Sequence, residues 1–273
     1  MPYRITLWNG DPSGLKEYAN LLSENYSRCV EPSFLEWKHK LNPIGASIIA
    51  FAYDGEKLVA ARAFQRAYSF NADKAIYQPC DTVTHQNYRK KGLFRKLTQL
   101  CLESIDLKNS LIINFPNDNS EPAYLKLGWS KYHNLCKEYS FSCVNVGKPI
   151  KNEDVLIWCK NQKDICFSDY VKWRFIENPN IKYKISILGR ALIIRSGVLV
   201  GVLSIDGENV MDAPFGLSVQ YKCTNSIRNF RLKKWNLGLI SKSGSRIVFN
   251  NSSRKEIDSV FLHYSPLALM DTF

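Results

Sequence analysis

Apolar and polar positions alternate from Tyr3 to Leu7 with the period of a strand, then shift to helical spacing across Ser13 to Ser23. A second helix is expected from a cap at Ser33 through Leu35, Trp37 and Leu41, stopped by Asn42-Pro43. Ser47 to Tyr53 is an apolar run, Asp54-Gly55 a hairpin turn signal, and Lys57 to Ser69 the returning strand. Ala75 to Thr84 adds a third strand, so the three predict an antiparallel meander. Beyond a basic loop, helical spacing from Leu93 to about Leu107 gives way to the short strand Leu111 to Phe115. A short helix over Pro122 to Leu127 then ends at Gly128. This order predicts an α/β fold (an α+β mixed sheet).

The chain also echoes itself. Phe34-Leu35-Glu36-Trp37 through Asn42-Pro43 returns as Tyr170-Val171-Lys172-Trp173 through Asn178-Pro179, with aromatic, Trp and Asn-Pro at matching spacing. A strand pair is expected after each copy: Ile48 to Tyr53 with Lys57 to Phe64, and Lys184 to Ile194 with Val198 to Ile205. Self-similarity of this kind points to duplicated units. The boundary falls near Val146 to Asn152, giving expected domains 1–147 and 148–273.

At 273 residues and 45% hydrophobic, the chain can bury a substantial core. Aromatics at 12%, six of them Trp, argue against disorder. No apolar run reaches the length of a membrane span and the N-terminus lacks a signal-peptide pattern, so a cytoplasmic protein is expected. The eight cysteines contain no Cys-x-x-Cys pair and read as reduced thiols, mostly buried. The formal charge of +12 favours an anionic partner and says nothing finer. No His, Cys, Asp and Glu grouping has metal-ligand spacing, so no metal is expected.

One segment joins that charge to a geometry. Asp81-Thr82-Val83-Thr84 reads as the end of a strand, and His85 through Gly92 as a loop opening directly into an amphipathic helix. A helix N-terminus presents unpaired N–H groups and partial positive charge, which bind pyrophosphate. Gly92 permits close backbone approach, and Arg89, Lys90 and Lys91 add charge. Arg89-Lys90-Lys91-Gly92-Leu93 resembles the signature of the GNAT acyltransferases: Arg or Gln, two residues, then Gly, between the fourth strand and the next helix. Phe94 stands where that family usually has a second Gly or Ala. Asn119 through Tyr124 to Gly128-Trp129 resembles the family's later motif, and the likeness covers roughly Tyr3 to Phe141.

The resemblance implies a GNAT fold, here duplicated as two tandem GNAT-like domains, with acyl-coenzyme A as co-substrate attacked directly by an amine. It implies a cofactor site built from Val83, Thr84, Arg89, Lys90, Lys91, Gly92, Leu93, Phe94 and Asn119, with a backbone N–H of the fourth strand polarising the thioester carbonyl. Tyr124 aligns with the residue that protonates the departing thiolate. For proton removal from the amine the candidates are Asp81, then His85, then a water relay. His39 and His133 read as structural.

The Asn114-Phe115-Pro116-Asn117 stretch and the Gly92-Leu93-Phe94 variant resemble bacterial enzymes that acylate nucleotide-linked amino sugars for surface polysaccharide. The implied acceptor is a dTDP-3-amino-3,6-dideoxyhexose receiving acetyl or 3-hydroxybutanoyl, with Trp37, Asn42 and Tyr68 lining its side. The second half lacks the loop, since Phe230 through Trp235 is basic but has no Gly. It is expected to be a degenerate unit in a monomer with pseudo-dimeric domains, or in a weak homo-oligomer. Neither nucleic acid nor membrane is expected as a partner. The rivals are a protein or aminoacyl-tRNA-dependent cell-wall peptide acyltransferase and a non-catalytic nucleic-acid-binding module, whose binding would be steeply salt-dependent.

Overall fold

A computed structural model describes residues 2–68, 74–132, 135–142, 149–162, 165–188, 191–196, 199–204, 216–223, 236–237, 243–244 and 247–250. The chain forms two compact units: Met1–Ala67 with Lys74–Asn114, and Tyr68–Asp73 with Phe115–Phe273. His133 and the basic segment 230–235 lie outside the described residues.

In the first unit, β1 (Arg4–Leu7), β2 (Ile48–Asp54), β3 (Lys57–Ala67), β4 (Ala75–Thr84) and β5 (Ser110–Asn114) lie in that order across one sheet. The first four pair antiparallel and β5 joins β4 in parallel, so the sheet is mixed as expected. Three helices accompany it: α1 (Pro12–Tyr26), α2 (Pro32–His39) and α3 (Leu93–Glu103). Helix α1 begins earlier than Ser13 because Asp11 is its cap, its carboxylate accepting the Gly14 N–H at 2.8 Å. Pro12 follows, pre-set for a first helical turn. Ser33 is not the cap of α2; that helix opens at Pro32 behind Glu31, which makes no side-chain cap bond. Helix α3 stops at Glu103, short of Leu107, where Asp106 takes the Lys108 N–H and the Asn109 amide into a competing local turn.

The two faces of β3 divide by parity. Ala61 and Ala63 join Leu15, Tyr18, Leu22, Leu35 and Phe51 in the core under α1 and α2. Arg62 and Phe64 point the other way, where the Arg62 guanidinium lies 4.5 Å from the Phe94 ring centroid of α3. Leu93, Leu97 and Cys101 bury that helix. Each large apolar side chain fully removed from water contributes about 1.5–3 kcal/mol, so these two layers hold the sheet between them.

Strand β4 breaks its own alternation. Ala61 pairs with Val83 and Ala63 with Cys80, two positions on β3 against three on β4. Val83 and Cys80 both meet the α1–α2 core, which strict alternation would forbid. The extra residue is a β-bulge at Asp81–Thr82, and Asp81 takes the left-handed region at φ 45°. On the other edge, β4 pairs with β5 only over Ala75, Ile76 and Tyr77 among the described residues, while β4 runs on to Thr84. The sheet is therefore open beside the bulge.

The second unit contains α4 (Glu121–Lys126), β6 (Ser130–Tyr132), β7 (Leu135–Ser142), α5 (Asn152–Lys160) and α6 (Ile165–Val171), which passes into a π turn over Lys172–Ile176. It continues through β8 (Lys184–Leu188), β9 (Ala191–Ser196), β10 (Leu199–Ser204), β11 (Gly216–Cys223), β12 (Asn236–Leu237), β13 (Ser243–Gly244) and β14 (Ile247–Asn250). A sheet in the order β12-β7-β11-β10-β9-β8 holds most of these strands, and β14 pairs antiparallel with β6. The expected single strand Lys184 to Ile194 is instead the hairpin β8–β9, closing at Leu188–Ala191. The two repeat segments end alike. Trp37 and Trp173 are buried, the Asn42 amide oxygen accepts the Ile44 N–H, and that of Asn178 accepts the Asn180 and Ile181 N–H groups.

Helix α4 closes with paired bonds, Trp129 N–H to Tyr124 carbonyl at 3.2 Å and Gly128 N–H to Leu125 carbonyl at 3.0 Å. The Tyr124 and Trp129 rings meet at 4.7 Å, which is the hydrophobic contact that accompanies this end. Gly128 sits at φ 82°. Gly128→Ala is expected to lower stability by about 1 kcal/mol through left-handed strain, read as a lower denaturant midpoint at unchanged slope.

Among the described residues, Cys29, Cys80, Cys101, Cys159 and Cys166 are thiols outside any disulfide. Burial pushes Cys101 and Cys159 up to about 12. In native protein near neutral pH, alkylation mapped by mass spectrometry is expected to leave both unmodified and to label exposed Cys166, because the thiolate is the reactive species.

Candidate functional site

The loop after β4 is built from short polar bonds. His85 keeps its N–H on the Val59 carbonyl at 2.9 Å, and its Nδ1 accepts the Asn87 N–H, capping a single 3₁₀ turn at Gln86–Tyr88. The Tyr88 hydroxyl donates to Asp54 at 2.9 Å and its ring carries the Lys91 ammonium at 4.8 Å. Arg89 donates to the Thr84 carbonyl and to the Asn25 side chain, tying the loop to β4 and α1. Lys90 and Gly92 are both left-handed, at φ 62° and 75°, and α3 starts immediately after. A Cβ at Gly92 would meet nothing within 4 Å, so the backbone stands open in front of the helix. Arg89, Lys90, Lys91 and Gly92 are exposed around it. The first N–H groups of α3 lack intrahelical partners by construction, and this end of the helix suits an anion.

The other residues of the expected cofactor set divide by side chain. Val83 and Leu93 are core residues and can offer only their backbone. Phe94 is half-buried beneath Arg62, which explains an aromatic where a small residue was expected: the ring covers a fully buried guanidinium. Asn119 donates its N–H to the Asn117 side chain, which also takes the Ser120 N–H, so Asn117 organises the turn before α4. Tyr124 is buried against Trp129 in the second unit.

Beside the open edge, the bulge is gripped from several sides. Asp81 Oδ2 lies 2.7 Å from Lys38 Nζ and 3.1 Å from His39 Nε2, with side-chain exposures of 15%, 2% and 0%. The other ring nitrogen of His39 meets the Ser47 hydroxyl at 2.9 Å. The Tyr18 hydroxyl donates to the Asp81 carbonyl and that of Tyr26 to the Thr82 carbonyl. Arg62 donates to the Thr82 hydroxyl at 3.0 Å. Burial alone would raise the Asp81 carboxyl, but Lys38 and His39 together outweigh it and hold the group far below the usual carboxylate range. The sequence reading missed Lys38, because a lysine in Trp-Lys-His-Lys looks like a solvated helix face.

His39, Cys80 and Asp81 place one ligand-type atom each within 4.8 Å of one another. The Lys38 ammonium already occupies the carboxylate of that group, so a resident cation accounts for its charge. Of the residues expected to line the acceptor, Trp37 stacks on Phe34 at 5.5 Å, and the Asn42 amide donates to the Arg66 carbonyl while accepting from Ile44. Tyr68, in the second unit, stacks on Tyr170 at 4.6 Å. All three are buried.

No protein-family model and no curated protein matches the chain. Solved structures do. A GCN5-related N-acetyltransferase from Anabaena variabilis aligns with a TM-score of 0.59 at 10% identity, over 90% of this chain and 72% of its own. A conserved protein of unknown function from Enterococcus faecalis aligns at 0.61 and 8%, over 91% and 72%. A GCN5-related N-acetyltransferase from Kribbella flavida aligns at 0.54 and 11%, over 90% and 71%. At such identities the likeness establishes the fold, which is that of the GCN5-related N-acetyltransferases. No helix among the described residues is long and apolar enough to cross a membrane.

Proposed function

We propose that this chain transfers an acyl group from acyl-coenzyme A to an amine. The observation that carries this reading is the opened edge of β4 with its bulge at Asp81–Thr82, running into a loop whose Lys90 and Gly92 turn the backbone left-handed before α3. A pyrophosphate fits the N-terminus of α3, with Arg89, Lys90 and Lys91 as counter-charges. The pantetheine arm then runs along the β4 edge beside Val83 and Thr84, and the thioester carbonyl takes a hydrogen bond from the bulge backbone. The substrate amine attacks that carbonyl, the tetrahedral intermediate collapses and the thiolate leaves; the sequence resemblance assigns the proton that it takes up to Tyr124. His85 or water removes the proton of the amine, because the Asp81 carboxylate is committed to Lys38 and His39 and is far too acidic to serve as a base near neutral pH.

For the acceptor, the sequence resemblance favours a nucleotide-linked amino sugar, specifically a dTDP-3-amino-3,6-dideoxyhexose, and a surface polysaccharide as its destination. The domains are assigned as 1–147, carrying the coenzyme, and 148–273, a degenerate copy. The matched ends of the two repeat segments support that duplication. The test is thiol release from acetyl- and 3-hydroxybutanoyl-coenzyme A against dTDP- and UDP-linked amino sugars, with protein amines as controls. Release with one sugar nucleotide is the expected result. Release with protein amines alone would move the acceptor to proteins, and failure to bind coenzyme A would overturn the proposal.

A further inference from the structure

We propose that Asp81, held by Lys38, is a positioning residue for acyl transfer that acts through the bulge of β4 and not through proton transfer. This rests on the acyl-coenzyme A reading above. Aspartate tolerates φ 45° better than most residues but rarely adopts it unless neighbours impose it. Here they do so from three elements. From α2 come Lys38 and His39 on the carboxylate, from α1 come the Tyr18 and Tyr26 hydroxyls on the Asp81 and Thr82 carbonyls, and from β3 comes Arg62 on the Thr82 hydroxyl.

Every one of those contacts restrains either the bulge backbone or the side chain attached to it. The result is a short backbone segment whose carbonyls are turned toward α1, on the stretch of β4 that has left β5. Backbone N–H groups stabilise a developing oxyanion only when held rigidly in place beforehand. The Lys38–Asp81 pair supplies that rigidity. Lys38 is only 2% exposed, so the pair exchanges poorly with water and does not slacken as a surface pair would. Pairing also disqualifies Asp81 as the proton acceptor.

The experiment measures acetyl-coenzyme A carrying carbon-13 at the acetyl carbonyl. Its affinity is obtained by calorimetry and its carbonyl stretch by isotope-edited infrared spectroscopy, on the unaltered chain and on D81N, D81A and K38M. Folding of each variant is checked by circular dichroism at the working temperature. In the unaltered chain the bound carbonyl stretch is expected to fall relative to free coenzyme. D81A and K38M are expected to lose most of that displacement while coenzyme affinity stays within about fivefold, since the phosphate loop is untouched. D81N is expected to keep most of it, because asparagine tolerates the left-handed backbone and still accepts hydrogen bonds.

K38M leaves residue 81 in place, so it carries the test if D81A does not fold. An undiminished displacement in D81A or K38M would overturn the inference, as would equal loss in D81N and D81A. Coenzyme bound by the unaltered chain without any carbonyl displacement overturns this inference alone; absence of coenzyme binding overturns the acyl-coenzyme A reading and this inference with it.

Discussion

Gly92→Val is expected to weaken coenzyme A binding by roughly one to two orders of magnitude in calorimetric titration while leaving the fold intact. Gly92 lies at φ 75°, where a β-branched residue costs at least 1–2 kcal/mol, and the strain falls on the residue that leads into α3. The Cβ itself meets nothing within 4 Å, so packing does not oppose it. The methyl groups instead enter the open space that the proposed pyrophosphate would fill. Gly92→Ala, with less bulk but the same backbone strain, should fall between. Arg89→Ala removes one exposed charge and the ties to Thr84 and Asn25, with a smaller loss expected. Undiminished affinity in Gly92→Val would place the phosphates elsewhere.

Lys38→Met is expected to cost about 3 kcal/mol of stability, the second large effect, because it leaves the largely buried Asp81 carboxylate without its ammonium partner. Chemical denaturation should show a lower midpoint at unchanged slope. The pH dependence follows from the direction of the Asp81 shift. Its value in the folded chain lies below its unfolded value, so the pair contributes fully above the ordinary carboxylate range of about 4. Its contribution drains away as pH falls below that range toward the folded-state value. In Lys38→Met the carboxyl moves back up, so the difference in stability between variant and parent should shrink as the medium is acidified through that window. A gap independent of pH would mean that Lys38 contributes through its methylene packing and not through its charge.

Much of the scaffold is written locally. Alternation marks β1, apolar runs bounded by turn signals mark the strands that are buried on both faces, such as β3 and β5, and helical spacing marks α1 to α3, which bury one face. The loop proposed to take the coenzyme phosphates is legible because its features are local. A strand, a basic turn, a glycine and an amphipathic helix follow one another directly, and the structure adds that Gly92 is left-handed. The matching turns after Trp37 and Trp173 also depend only on a near-neighbour bond, in which the asparagine side chain takes an N–H two or three residues on.

What the sequence could not say is anything that depends on partners distant along the chain. The helix ends moved for a separate, local reason: Asp11 and Asp106 take backbone N–H groups two or three residues on, which periodicity does not register. The Asp81–Thr82 bulge is invisible in a strand read by alternation, since one inserted residue looks like any other until its pairing with β3 is known. Asp81 reads as an accessible carboxylate, and Lys38 as a solvated cation, until folding places α2 against β4 and brings the two charges to 2.7 Å. Local order along the chain determined the elements and the loop. Tertiary contact decided which charged groups face water and which hold the backbone, because burial and pairing arise between segments that are far apart in sequence.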